Sequence, residues 1–217
     1  MKILIIKAHP KTESFCNALT DQYIEGAKKA KHEIKELSLN NLGLEKYIKY
    51  EYKEKPELPN DLIEAQKLIA WADNLFFSYP TWWSVAPALL KVFIEITFQP
   101  GFAYKYTKPL FSIPRWNKLL LGKSARIIVT MDAPIWYYKC LLGDPGFKMM
   151  RNDLKFCGVK PVCKDYFGSV KMSSEKKKKK WVERRAFSEE PWSFPLGPHA
   201  RTGCPRLQRR SRAAGLC

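Results

Sequence analysis

Three segments of this sequence combine polar side chains, prolines and aromatic rings in patterns that could do chemistry. The first is His9-Pro10-Lys11-Thr12-Glu13-Ser14-Phe15-Cys16-Asn17. It leaves an apolar run and enters a helical one, so the backbone N–H groups of the helix start can converge on a phosphate. His9 can donate to a phosphate oxygen and Ser14 can add a hydroxyl. The second is Tyr79-Pro80-Thr81-Trp82-Trp83-Ser84-Val85-Ala86-Pro87, a tryptophan doublet between two prolines. Such a segment offers flat apolar walls and backbone hydrogen bonds, which a planar ring with a polar edge requires. The third is Thr130-Met131-Asp132-Ala133-Pro134-Ile135-Trp136-Tyr137-Tyr138, in which Asp132 can accept from a ring N–H or cap a turn before Pro134.

Each segment also has a plainer reading: Ser14 as a helix cap, His9 filling a strand end, Trp83 packed under a sheet. What favours chemistry is the elements that position them. Ile3–Ala8, Glu33–Leu39, Asn74–Tyr79, Ala125–Met131 and Pro161–Phe167 read as strands, several of them continuous apolar runs. Helical spacing falls between them: after Ser14, from Asp61 toward Trp71, over Ala86–Thr97 with Pro87 near its first turn, and over Phe147–Phe156. Strand–helix alternation with right-handed crossovers implies an α/β doubly wound, five-stranded parallel sheet with helices on both faces. The order 2-1-3-4-5 is the natural solution, with its ligand at the switch point beside the first and third strands. The three segments are the loops that leave strands one, three and four.

Composition narrows the alternatives. The chain has 217 residues, enough for one good core, and no apolar run long enough to cross a membrane. With no secretory pattern at the start, a cytoplasmic location is expected. Six cysteines include no C-x-x-C pair, so a zinc site is not expected and reduced thiols are. The net charge of +17 raises nucleic-acid binding, yet residues 1–183 hold +12 of it mostly as dispersed lysines, including the run Lys176–Lys180. Without a nucleic-acid motif this argues only for a surface that attracts anions.

From Arg184 the chain changes character, to an Arg- and Pro-rich stretch with no period of 2 or 3.6. Residues 1–183 are read as the folded domain and 184–217 as a disordered or non-native tail. Truncation near residue 183 is expected to leave the fold and its ligand binding intact, as checked by thermal melting and a binding titration.

The first loop, together with YPTWWSVAPALLKVFIE and GFAYKY, resembles the NAD(P)H:quinone oxidoreductase family of the flavodoxin-like fold, from about Lys2 to Val182. The resemblance implies a bound flavin, FMN (or FAD), with NADH or NADPH as hydride donor. It also implies a quinone or similar small acceptor, a ping-pong cycle and a homodimer. His9, Ser14 and Phe15 match positions that bind flavin phosphate and ribityl groups, and Cys16 stands where many members have Asn, with Asn17 one place later. Pro80, Thr81, Trp82 and Trp83 match the loop that holds the ring system. Pro87, Lys91, Glu95 and Phe156-Cys157-Gly158 match further motifs. The family's T-T-G-G loop is replaced here by Thr130, Met131, Asp132 and Ala133. Tyr138 matches a tyrosine that assists hydride transfer, either stabilising charge or covering the pocket. No His follows it, and Asp144 lies nearest that place. These departures resemble the shorter bacterial NAD(P)H-dependent flavin oxidoreductases. A first loop sized for one phosphate favours FMN. A regulatory flavoprotein partner of a membrane transporter is one alternative reading. An electron-transfer flavodoxin is another, disfavoured by the basic charge.

Overall fold

The computed structural model describes residues 1–44 and 58–186. Its elements run β1 (Lys2–Lys7), α1 (Phe15–Lys29), β2 (Glu33–Ser38), α2 (Asn60–Trp71), β3 (Asn74–Pro80) and α3 (Ala88–Thr97). A hairpin of β4 (Tyr104–Leu110) and β5 (Ile113–Lys118) follows, then β6 (Ser124–Thr130), α4 (Pro145–Cys157), β7 (Val162–Phe167) and α5 (Glu175–Ala186). Five strands pair in parallel in the order β2-β1-β3-β6-β7, the doubly wound order expected once the hairpin is set aside. The segment between β2 and α2 lies partly outside the described residues; of the expected tail 184–217, residues 184–186 continue α5 and the rest lies outside them.

The central strands form because every second side chain is apolar on each face. Leu4, Ile6, Leu75, Phe77, Ile127 and Val129 face the layer of α2, α3 and α4. Ile3, Ile5, Phe76 and Ile128 face α1 and α5, where Tyr23 stacks on Phe76 at 4.0 Å. Each such side chain contributes roughly 1.5–3 kcal/mol when fully buried. β3 is buried along its whole length, as a strand covered on both faces must be. Lys91 of α3 pairs with Glu95 at 3.3 Å and with Asp153 of α4 at 3.7 Å, linking two helices of one layer. Pro87 precedes α3 as its cap residue rather than sitting inside its first turn.

The hairpin was not anticipated, and nearly all of it is exposed. Only its base is anchored. Trp116 stacks on Phe156 at 4.3 Å and donates its indole N–H to the Phe156 carbonyl at 3.0 Å, while Tyr104 meets the same ring edge-on. Gly158 closes α4 with φ +105°, and a Cβ there would lie 3.0 Å from Lys118 Cβ and 3.2 Å from Leu121 N. The Phe156-Cys157-Gly158 motif is thus the clamp for the hairpin. Gly158→Ala is expected to destabilise the protein by about 2 kcal/mol, through left-handed backbone strain plus that contact. The check is a shift of the chemical denaturation midpoint without a change of slope.

Candidate functional site

Because β1, β3 and β6 run parallel, the loops that leave them meet at one edge of the sheet. The first loop is shaped by two asparagines. Asn17 donates its amide to the Lys11 and Thr12 carbonyls at 3.1 and 2.8 Å, and Asn40 donates to the His9 and Pro10 carbonyls at 3.0 and 2.8 Å. Ser14 caps α1 by accepting from Asn17 N–H at 3.1 Å. The N–H groups of Phe15 and Cys16, in the first turn, have no intrahelical acceptor by helix geometry. They point out of the helix start toward the loop, with the positive end of the helix dipole behind them.

His9 Nδ1 lies 2.9 Å from Lys11 N–H and 3.1 Å from the Lys11 carbonyl. Partial burial holds the imidazole below its ordinary pKa. A depressed folded value means that the unfolded chain takes the proton first. The neutral ring's contribution is complete above about pH 6.5 and is lost as pH falls through the folded value. Thermal stability of the ligand-free protein is therefore expected to drop as pH falls below 6.5, and to drop less in His9→Gln; melting temperatures across that range check it.

The second loop is a tight turn. Trp82 and Val85 exchange backbone hydrogen bonds at 2.9 and 3.0 Å, and the two residues between them, Trp83 and Ser84, hold φ of +48° and +66°. Both central residues with positive φ make this the hairpin turn usually filled by Asn-Gly. Trp83 is consequently thrust outward, 99% exposed, and Trp82 is half-exposed at 47%. Trp82 meets the His9 ring at 6.4 Å between centroids, edge to face. Thr81 N–H donates to the Thr130 carbonyl at 2.7 Å, tying this loop to the end of β6.

Tyr138 underlies the turn. Its hydroxyl donates to the Ser84 carbonyl at 2.9 Å and accepts from Gly146 N–H at 3.0 Å. The side chain is buried, on a wide helical turn over Tyr137–Leu141. The hydroxyl thus ties the second loop to the start of α4. Asp144, buried with φ +61°, extends the tie: its carboxylate accepts from Tyr166 hydroxyl and Lys164 ammonium. Lys164 sits 4.0 Å over the Phe147 ring and its pKa is lowered by burial.

Several expected residues are placed differently from their reading. Phe15 turns its ring to Phe167 and Trp181, at 6.3 and 5.9 Å, because α5 covers that face of α1. Cys16 is 1% exposed and its thiol is pushed up to about 12 by burial, beside the Ser78 and Thr130 hydroxyls. Both can offer only their N–H groups to a ligand. In the third loop Thr130 and Met131 are buried, and the Asp132 carboxylate accepts from Lys171 N–H at 3.0 Å. Its neighbour Ala133 accepts from Ser169 N–H at 3.1 Å, so this loop is laced to the segment after β7. His9, Ser14, Pro80, Thr81, Trp82 and Trp83 are the expected residues that sit together at the β1/β3 edge. Asn40, Gly146, Lys164 and Tyr166 were not singled out from sequence; their roles depend on partners far along the chain.

The donor set suits the phosphate and planar ring of a flavin. A phosphate fits the open amides of the first turn, and Asn17 Oδ1 is buried there without a hydrogen-bond partner among the described residues. An aromatic wall, Trp82, stands beside this loop, and backbone polar groups line the Thr81–Val85 turn. Among the described residues no cluster of His, Cys, Asp or Glu is arranged to hold a metal ion.

Comparison with known proteins agrees with this fold. Residues 1–189 match the model of a family described as having a flavodoxin-like fold. An uncharacterised NAD(P)H oxidoreductase of Haemophilus influenzae is 25% identical over 86% of this chain and 93% of its own. Human ribosyldihydronicotinamide dehydrogenase [quinone] is 28% identical over 69% of this chain and 67% of its own. A solved structure from Streptococcus mutans superposes with a TM-score of 0.74 at 29% identity, over 86% of this chain and 97% of that one.

Proposed function

Since the chain belongs to the flavodoxin-like fold family, we propose that it is an NAD(P)H-dependent flavin oxidoreductase that reduces quinones or similar small acceptors. It is an oxidoreductase in which donor and acceptor use one site in turn, a ping-pong cycle. The observation that carries the reading is the meeting of the first two loops, where His9 and Trp82 stand 6.4 Å apart beside the open amides of α1. The names of the Haemophilus and human relatives support the nicotinamide donor, and the human one supports a quinone as acceptor.

FMN is the cofactor, with FAD the alternative, because the first loop offers donors for one phosphate. When bound, the flavin supplies hydride and electron transfer between donor and acceptor. The chain's residues hold and shape that site. His9, Ser14 and the Phe15 and Cys16 N–H groups bind the phosphate. Pro80, Thr81 and Trp82 flank the ring, with Trp82 as its wall, while Trp83, fully exposed, meets the incoming acceptor. Thr130, Met131 and Asp132 shape the far side through backbone groups. Tyr138 is a positioning residue beneath the turn. Trp136 and Tyr137, exposed on the same turn as Tyr138, are the surface for a homodimer contact. Residues 1–183 suffice for this activity.

The test is to purify the protein, identify the released cofactor by mass spectrometry, and follow NADH and NADPH oxidation against a benzoquinone. Parallel double-reciprocal lines are the expected pattern. No flavin after reconstitution and no oxidation of either nucleotide would overturn the proposal.

A further inference from the structure

The ion pair of Asp144 and Lys164 does more than bracing a loop requires. Its carboxylate is 9% exposed and its ammonium 28%. The Tyr166 hydroxyl donates to the same carboxylate, and two rings flank the ammonium, Phe147 at 4.0 Å and Tyr166 at 5.0 Å. A neutral amide at position 144 would accept from Tyr166 equally well. Taking a carboxylate and an ammonium out of water costs free energy that such an amide avoids. The charges themselves therefore call for a role.

The carboxylate is felt at the site. Burial first, and then the Asp144 charge, pushes the Tyr138 phenol up, and both act in the same direction on Tyr79. The Tyr138 hydroxyl touches the Ser84 carbonyl, and Tyr79 directly precedes Pro80. Both side chains are 1% exposed, so little water stands between the charge and the second loop to screen it. A ring that takes up a hydride gains negative charge, and a buried carboxylate nearby opposes that gain. A cation held against the carboxylate cancels the opposition. Lys164 is that cation, and Lys139 of the wide turn and Arg151 of α4 add like charge on its far side.

We propose that Lys164 sets the midpoint potential of the bound flavin by neutralising Asp144, which keeps the ring reducible by NAD(P)H. This rests on the flavin reading above. The test is the flavin potential, read by anaerobic dye equilibration at about pH 8, where both groups are ionised, in the parent chain, Asp144→Asn and Lys164→Met. Asn tolerates the left-handed backbone at 144, and Met keeps the length of Lys164 and its contact with Phe147. Lys164→Met is expected to favour the oxidised ring about tenfold, which is about 30 mV more negative for a two-electron couple. Asp144→Asn is expected to move the potential by a similar amount the other way, and the double variant to lie near the parent. Loosened packing would move both single variants in one direction, so opposite signs are the signature of charge. An unmoved potential in either single variant, or shifts of one sign, would overturn the inference and leave the flavin reading standing. A parent chain that binds no flavin would overturn both.

Discussion

Trp82→Ala is expected to weaken flavin binding between about tenfold and a hundredfold while leaving the melting temperature nearly unchanged. The indole is half-exposed and contributes little to the core, so its removal opens no cavity. What is lost is a flat wall beside the ring. Aromatic stacking and apolar burial of that kind amount to about 1.5–3 kcal/mol, which is the stated range in affinity. Trp83→Ala provides the contrast. Trp83 is turned outward, so flavin affinity should hold while the Michaelis constant for the acceptor rises. Fluorescence titration of apoprotein with FMN measures the first effect, and steady-state kinetics the second. Equal flavin affinity in Trp82→Ala and the parent would remove this side chain from the site.

Gly146→Ala is expected to do more damage from farther away. A Cβ at position 146 would lie 2.7 Å from the Tyr138 hydroxyl, 3.2 Å from Val85 Cα and 3.3 Å from the Ser84 carbonyl. The hydroxyl lies at the end of a buried ring and has no free direction in which to retreat. Either Tyr138 gives up one of its two hydrogen bonds or the turn moves. The first costs about 1–3 kcal/mol as a buried polar group loses its partner, and overpacking adds a similar amount. Stability should therefore fall by about 2–6 kcal/mol, with flavin affinity reduced about tenfold because the Trp82–Val85 turn is displaced. Tyr138→Phe should reproduce the loss of affinity in milder form without the overpacking. Denaturant titration and flavin titration on both variants separate the two contributions.

The parts of the fold that could be read from sequence were those whose cause is local. β3 is legible because a strand covered on both faces is predominantly apolar on both, with only Asn74 and Ser78 polar, and α1 because Ser14 announces its start. The hairpin was missed for the converse reason. Exposed on both faces, it has no alternation, and its turn uses Phe111-Ser112 where Asn-Gly would have been the signal. Trp82 and Trp83 stood out by type, but their opposite fates follow from positive φ values that no residue there advertises. Asn17 was seen only as a displaced family position, yet with Asn40 it shapes the first loop. Phe15 and Cys16 were assigned from their loop, whereas their side chains answer to α5 and to the β3 and β6 strand ends. Tyr138 stood out only as the match to a family tyrosine, and the carbonyl it holds lies 54 residues away.

The Trp83–Ser84 turn is costly in the ligand-free protein, at about 1 kcal/mol for each non-glycine residue held at positive φ. It persists because the Val85 backbone and the Tyr138 hydroxyl hold it from two sides. That expense falls on folding, so a ring entering beside Trp82 finds the wall already rigid and spends little of its binding free energy on ordering the loop. The turn is thus ordered before any ligand arrives, at some cost to the stability of the fold.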